Sequence, residues 1–269
     1  MTTRLCLAYV ALLFVLQGGL AQTADEPDLR RALVEESPAK IAALIASPNP
    51  RQCRMGLASL GLHIPEYDPC FVSHAQLFLQ NLDEDDELEA VLRIRQGEME
   101  AVIVLDIQDG SWWRIGHFIR VFRFDTDADM TLELKSIISD RCYDLLIRDS
   151  GGGTDISETH LSMYRLRQGR LQRVFRISES ARYRVVGGSS RVNVILERAW
   201  LTYPSREISG IPLIVADRTR VPIGRTTEFN PERELRFATS ECTVYRWDEQ
   251  GQVFTPDSGE FRRYCPKRR

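Results

Sequence analysis

From residue 70 onward, apolar and polar residues alternate over short runs that are separated by turn residues. This pattern predicts antiparallel β structure, because successive side chains of a strand point to opposite faces of a sheet. Gln96-Gly97 and Asp109-Gly110 occupy the positions of tight turns. The first four predicted strands are 75–80, 88–95, 100–107 and 112–118.

The same order of strands recurs further along the chain. A second copy predicts strands at 132–138, 143–148, 160–166 and 171–177, and a third, weaker copy predicts strands at 183–186, 192–197, 211–215 and 243–247. The predicted fold is therefore mainly β, with antiparallel four-stranded repeat units between residues 70 and 265. A closed propeller typically needs four to eight blades. A degenerate, open propeller-like stack and a β-sandwich both remain possible.

A short helical segment precedes the strands, between residues 22 and 69. Helical spacing of apolar residues predicts helices at 28–36, 38–46 and 51–60. Ser37 is suited to cap the second helix, and Pro38 fits its first turn, where no N–H is needed.

Residues 1–21 have the pattern of a signal peptide. Arg4 gives a positive start, residues 5–16 are nearly all apolar, and Gly19 and Ala21 place small residues before a cleavage site. No second long apolar run follows, so we expect a mature chain without a membrane span, exported to the periplasm or outside the cell.

Composition is that of an ordinary globular protein. The chain of 269 residues is 43% hydrophobic and has a formal net charge of −3. Without a basic excess, no nucleic-acid partner is expected. The basic tail at residues 266–269 is interpreted as a solvated terminus.

Five cysteines remain after removal of the signal peptide, and an exported chain favours their pairing. The local pairs Cys53–Cys70 and Cys242–Cys265 are predicted, although sequence alone does not fix the connectivity. Cys142 lies in an apolar stretch and is expected to be a buried free thiol.

Oxygen-bearing side chains stand at every second position between the first two strands. They are Asn81, Asp83, Asp85, Glu87 and Glu89. Calcium takes six to eight oxygen ligands in a flexible shell, which this spacing could supply. The sequence therefore predicts a calcium loop of structural role, with a solvated acidic hairpin tip as the alternative. The same spacing in Asp125, Asp127, Asp129 and Glu133 is a weaker candidate.

The order of strand, acidic loop, strand, turn, strand, Asp-Gly turn and strand resembles the FG-GAP repeat of integrin-alpha-like β-propellers. The resemblance is best over 75–118 and weaker over 132–177. In this chain, Asn81 replaces the first Asp of the family's loop pattern, and Asp86 replaces its Gly. The resemblance implies a calcium loop buried between strands. The second copy keeps too few carboxylates for such a loop.

The motifs of this sequence do not indicate a particular catalytic mechanism. Four histidines occur, none four residues from another, and no Gly-x-Ser-x-Gly elbow is present. The Gly-rich stretch 150–154 is interpreted as a loop between strands. We therefore expect a non-catalytic binding or scaffold protein with a protein or glycan ligand. The alternative is a cell-envelope hydrolase acting on glycans or peptides, so enzymatic activity stays open.

Overall fold

The computed structural model of the protein describes most of the chain beyond the N-terminal segment. The described residues are 38–62, 70–85, 87–97, 99–108, 111–121, 130–152, 156–186, 192–223 and 238–266. The predicted signal peptide, the first predicted helix and the aspartates at 125, 127 and 129 lie outside them. No described helix is long and apolar enough to cross a membrane.

The chain forms two compact units, and the described part of the first starts with a pair of helices. Helix α1 spans Pro38–Ile45 and α2 spans Pro50–Ala58, each starting with a proline at a position where no N–H is required. The Asn49 carboxamide oxygen accepts the Arg51 N–H at 3.0 Å and so caps α2. The two helices pack closely at Gly56, where a Cβ atom would lie 2.8 Å from Ile45.

Four antiparallel strands complete the first unit, paired in chain order. They are β1 (His74–Gln80), β2 (Glu89–Gln96), β3 (Met99–Gln108) and β4 (Ser111–Val121). One face of this sheet shares a buried core with the helices, in which Leu77, Leu92 and Ile103 meet Ile45 and Leu57. The sheet and its core hold the β1–β2 loop at one end of the strands.

Eight further strands form the second unit as one continuous antiparallel sheet in chain order. They are β5 (Thr131–Lys135), β6 (Asp144–Gly152), β7 (Ile156–Arg167), β8 (Arg170–Val186), β9 (Val192–Thr202), β10 (Leu213–Ile223), β11 (Thr239–Asp248) and β12 (Val253–Pro256). A short helix α3 (Arg206–Ser209) connects β9 to β10, and a 3₁₀ turn, Arg262–Tyr264, follows β12. The second and third predicted copies thus join in a single sheet.

The core of the second unit draws on strands from both ends of this sheet. Leu146 and Met163 from β6 and β7 belong to the same buried cluster as Trp247 and Phe254 from β11 and β12. Phe175 packs edge-on against Phe254, with ring centroids 5.8 Å apart. Strands that are distant in the sheet order therefore share one core.

The prediction of a mainly β fold with antiparallel strands and a short helical N-terminal part is confirmed. The predicted strand at 132–138 ends earlier, at Lys135, because the residues that follow form a loop. The Gly-rich stretch extends β6 to Gly152 instead of forming a loop from residue 150. The predicted turn at Gln168-Gly169 is present, and both residues have positive φ.

The cysteines pair as predicted. Cys53 bonds to Cys70 and Cys242 to Cys265, with Cα–Cα distances of 6.0 and 5.9 Å, and Cys142 is free and buried. The first bond ties α2 to the start of the sheet. The second ties the C-terminal segment to β11.

We predict that a Cys242→Ser, Cys265→Ser double variant loses about 3 kcal/mol of unfolding free energy, because a loop of this length is no longer closed in the unfolded chain. Urea unfolding of the wild-type and variant chains measures the loss. Adding a reductant should destabilise the wild type more than the variant. An equal effect of reductant on both chains would contradict the prediction.

Candidate metal centre

The β1–β2 loop is folded by side chains that accept hydrogen bonds from its own backbone. The Asn81 carboxamide oxygen accepts the Glu84 N–H at 2.9 Å, and the Asp85 carboxylate accepts the Glu87 N–H at 2.8 Å. Leu82 is buried beneath the loop and anchors it. The positive φ of 81° at Glu84 turns the chain back toward β2. Short polar side chains thus shape the loop backbone through local hydrogen bonds.

Glu89, the first residue of β2, is the deepest acidic residue in this region. Its exposed fraction is 0%, and its Oε2 accepts the backbone N–H of Leu82. Its Oε1 is also buried and has no hydrogen-bond partner among the residues that the structure describes. A buried carboxylate oxygen without a partner destabilises the folded state, because it has lost its hydrogen bonds to water and formed none within the protein.

Asp83 and Asp85 meet Glu89 in one group. Each of the three offers a carboxylate oxygen, and these oxygens lie within 4.8 Å of one another. Opposite ligands of one calcium ion can be about 5 Å apart, so the three oxygens are close enough to share an ion. The acidic cluster could therefore bind a metal ion.

The electrostatic repulsion within the cluster favours the binding of a positive ion. Burial, together with the charges of Asp83, Asp85 and Asp106, raises the pKa of Glu89 to about 7, although the hydrogen bond from the Leu82 N–H opposes the rise. Burial also raises the pKa of Asp83, with the charge of Asp85 adding to the effect. Both shifts mean that the ionised carboxylates are poorly solvated and repel one another.

The other two predicted ligands occupy different places. The Asn81 side chain is engaged with the loop backbone through its oxygen and through its Nδ2, which donates to the Asp85 carbonyl. The Glu87 side chain is exposed and stands outside the three-residue group. Glu84 carries the left-handed backbone, whereas the expected position for it, Asp86, lies outside the described residues.

Asp106 is an acidic neighbour of the cluster that the sequence analysis did not single out. It is only 8% exposed, in a strand whose other residues are mostly apolar. The pairing of Ala90 with Leu105 places it beside Glu89, on the adjacent strand. The only signal in the sequence is a lone carboxylate within the apolar run of β3.

The loop between β5 and β6 has the same framework as the β1–β2 loop. Each loop joins cross-strand partners nine positions apart, Gln80 with Glu89 and Lys135 with Asp144. Asp144 is 0% exposed, like Glu89, and its Oδ2 accepts the N–H groups of Ile137 and Ile138 at 2.9 Å each. A buried carboxylate at the first residue of the second strand therefore holds both loops.

The two loops differ in the residues that surround this carboxylate. By their distance from it, Ile138 stands where the first loop has Asp83, and Asp140 stands where it has Asp85. Ile138 is buried in the core of the second unit, whereas Asp140 is exposed. The second loop thus lacks the acidic group, in agreement with the sequence expectation for the second copy.

Glu133 of the weaker acidic candidate, the two adjacent tryptophans and His160 all make contacts within the protein. Glu133 forms an ion pair with Arg148 at 3.1 Å. Trp112 packs against the core, while Trp113, on the opposite face, is 37% exposed, as their adjacent positions in a strand predict. His160 contacts Glu158 at 3.1 Å, and that carboxylate also accepts the Tyr183 hydroxyl at 2.7 Å.

Comparisons with protein-family models, with curated proteins and with solved structures gave no match to this chain. The functional argument therefore depends on the geometry of the described residues.

We predict a pH-dependent stability that originates at Glu89. Its pKa is raised from 4.5 to about 7 in the folded chain, so the folded state binds this proton more tightly than the unfolded state. In metal-free buffer, unfolding free energy should therefore fall between these two pH values, by roughly 1–3 kcal/mol from this group. Urea unfolding at several pH values measures the change.

Glu89→Gln tests the assignment, because the amide oxygen can still accept the Leu82 N–H but does not titrate. This variant should be more stable than the wild type at pH above 7 in metal-free buffer. Glu87→Gln, which changes an exposed side chain of the same loop, is the control and should keep the wild-type pH dependence. An unchanged pH dependence in Glu89→Gln would refute the assignment.

We also predict that Asp144→Ala destabilises the chain by about 3 kcal/mol, because two buried N–H groups lose their acceptor. Asp144→Asn should lose less, since one side-chain oxygen remains. Asp140→Ala, in the same loop but exposed, should change stability by less than about 0.5 kcal/mol. Denaturant unfolding compares the three, and equal losses for the two alanine variants would rule out the proposed role of Asp144.

Proposed function

We propose that this chain is an exported, non-catalytic binding or scaffold protein whose β1–β2 loop is stabilised by calcium. The observation that carries the proposal is a buried Glu89 carboxylate whose Oε1 has no hydrogen-bond partner among the described residues, and which offers an oxygen within 4.8 Å of the carboxylate oxygens of Asp83 and Asp85. A cation between these groups would satisfy the oxygen and remove the repulsion at once.

The chemistry of the three ligand atoms favours calcium over zinc or copper. All three are carboxylate oxygens, and hard cations take such ligands, whereas zinc and copper prefer nitrogen and sulfur. Asp85 is exposed and Asp83 is half-buried, so part of the coordination shell is open to water or backbone carbonyls. Calcium tolerates this mixed and flexible shell better than magnesium, which demands near-octahedral geometry.

The resemblance to FG-GAP repeats belongs to the same proposal. Its support is the strand order of the first unit, in which the acidic loop joins the first two strands of a four-stranded antiparallel sheet. In this interpretation, the calcium ion has a structural role. It would lock the connection between β1 and β2 and leave ligand binding to other surfaces.

A binding role is supported by an exposed aromatic side chain on a face of the second sheet. Trp200 in β9 is 48% exposed, and the Arg198 guanidinium lies 5.4 Å from the centre of its ring. Asp217 is its direct partner on β10 and shares its face. An aromatic ring flanked by a hydrogen-bond donor and an acceptor suits a glycan or a protein ligand.

Export is supported by the two disulfide bonds, which persist in oxidising compartments, and by the signal-peptide pattern of residues 1–21. Calcium is available to extracellular modules whose sites bind with dissociation constants of about 10⁻⁴–10⁻³ M. A partly open site of three carboxylates is suited to this range.

We predict that calcium raises the thermal midpoint of the mature chain, residues 22–269, relative to the same chain in chelator. At about 100 times its dissociation constant, an ion that binds only the folded state adds about 2.7 kcal/mol of unfolding free energy. Differential scanning calorimetry should therefore show a shift of several degrees.

An Asp83→Asn, Asp85→Asn double variant is the matched test, because it keeps the shape of both side chains and removes their charge. It should show no shift with calcium, whereas Glu87→Gln should shift like the wild type. Magnesium at the same concentration should give a smaller shift. A wild type that melts at the same temperature in calcium and in chelator would overturn the proposal.

A further inference from the structure

Two buried carboxylates face each other across β2 and β3. Ala90 pairs with Leu105 in the antiparallel ladder, so the next pair in this register is Glu89 with Asp106. Directly opposite residues of an antiparallel pair have Cβ atoms about 5 Å apart and lie on the same face. Glu89 is 0% exposed and Asp106 is 8% exposed. Like charges in this arrangement destabilise a sheet unless something compensates them.

The Asp106 carboxylate is held in position by a hydrogen bond to one of its oxygens. Its Oδ2 accepts a hydrogen bond from the Gln108 side chain at 3.1 Å. Gln108 is fixed in turn, because its backbone carbonyl accepts the Trp113 indole N–H at 3.1 Å. Trp113 is the direct cross-strand partner of Asp106.

Asp106 acts on the carboxylates of the cluster but is not one of them. Its charge contributes to the raised pKa of both Asp83 and Glu89. Its oxygens are not in the group that lies within 4.8 Å. The β2–β3 register therefore places Asp106 next to the three-carboxylate group and not within it.

We propose that Asp106 is a fourth, water-bridged acidic group of the cation site, and that it contributes to ion affinity. This inference rests on the calcium loop proposed above and extends it from the loop to β3. The ion would then connect three parts of the chain: the loop at Asp83 and Asp85, the start of β2 at Glu89, and the end of β3 at Asp106. Calcium sites commonly include ligands that act through a water molecule.

The proposed role has a signature that a structural role would not show. Without the ion, Asp106 repels its buried neighbours, so removing its charge should stabilise the chain. With the ion bound, the negative charge of Asp106 attracts it, so the same change should weaken calcium binding. A residue needed only for folding would lose stability under both conditions.

The experiment measures calcium affinity and metal-free stability for Asp106→Asn in the mature chain. The amide keeps the size of the side chain and an oxygen for the Gln108 contact. We expect calcium binding to weaken at least about tenfold, as for other groups that act on a metal from its second layer of contacts. We also expect the metal-free thermal midpoint to rise or stay unchanged. Glu87→Gln, with the same loss of one charge but an exposed side chain, should change affinity much less.

Terbium provides an independent readout, because its luminescence is sensitised by a nearby indole. Trp113 pairs with Asp106, so wild-type protein should sensitise bound terbium, and calcium should displace it. Trp113→Phe should reduce the terbium signal by more than any loss of calcium affinity, measured in parallel by calorimetry, accounts for. If calcium affinity holds but the signal does not fall in this variant, the ion is not beside β3 and the inference fails.

The outcomes separate the two proposals. If the wild type binds no calcium, the calcium loop fails and the role of Asp106 fails with it. If the wild type binds and Asp106→Asn binds equally well, only the role of Asp106 is overturned. If Asp106→Asn loses metal-free stability together with affinity, Asp106 is a structural residue and the inference is again overturned.

Discussion

The buried carboxylate at the start of β2 is the constraint on which the first unit's loop depends. Glu89 holds the N–H of Leu82 and so fixes the exit from β1. Its burial removes the water that would otherwise stabilise its charge, and Asp83 and Asp85 stand against it. The loop geometry and the unfavourable charge therefore arise from the same residue. A cation bound between the three carboxylates would reconcile them.

The second unit shows what the same framework does without the acidic cluster. Asp144 occupies the equivalent place and uses one oxygen for two backbone N–H groups, while Ile138 fills the position of Asp83 with an apolar side chain. Here the burial of Asp144 still raises its pKa, but its two backbone hydrogen bonds and the charge of Arg165 oppose the rise. The two loops therefore share one framework, in which a buried carboxylate at the first residue of the second strand accepts hydrogen bonds from the loop backbone. Each carboxylate keeps one buried oxygen without a partner among the described residues, and only the loop of the first unit gathers further carboxylates around it.

Local patterns in the sequence predict much of this structure, because alternation, turn residues and cysteine spacing are properties of neighbouring positions. The hairpins of the first sheet, both disulfides and the acidic loop follow from them. The pairing of strands that are distant in the sequence does not follow from such local patterns. Asp106 becomes a neighbour of Glu89 only through the β2–β3 register, which no single-sequence pattern fixes. Residues 137 and 138 continue an apolar run and so predicted a longer strand, whereas the Asp144 carboxylate captures their N–H groups in a loop.

Calorimetric titration of calcium into the mature chain tests the central claim most directly, because it counts ions without relying on stability. The account predicts one ion bound per chain at pH 8, with binding abolished in Glu89→Gln and retained in Glu87→Gln. Binding that survives in Glu89→Gln, or no binding by the wild type at millimolar calcium, would contradict it. In the latter case the acidic loop would be a solvated turn, and Glu89 would remain as a buried carboxylate that is neutral at low pH.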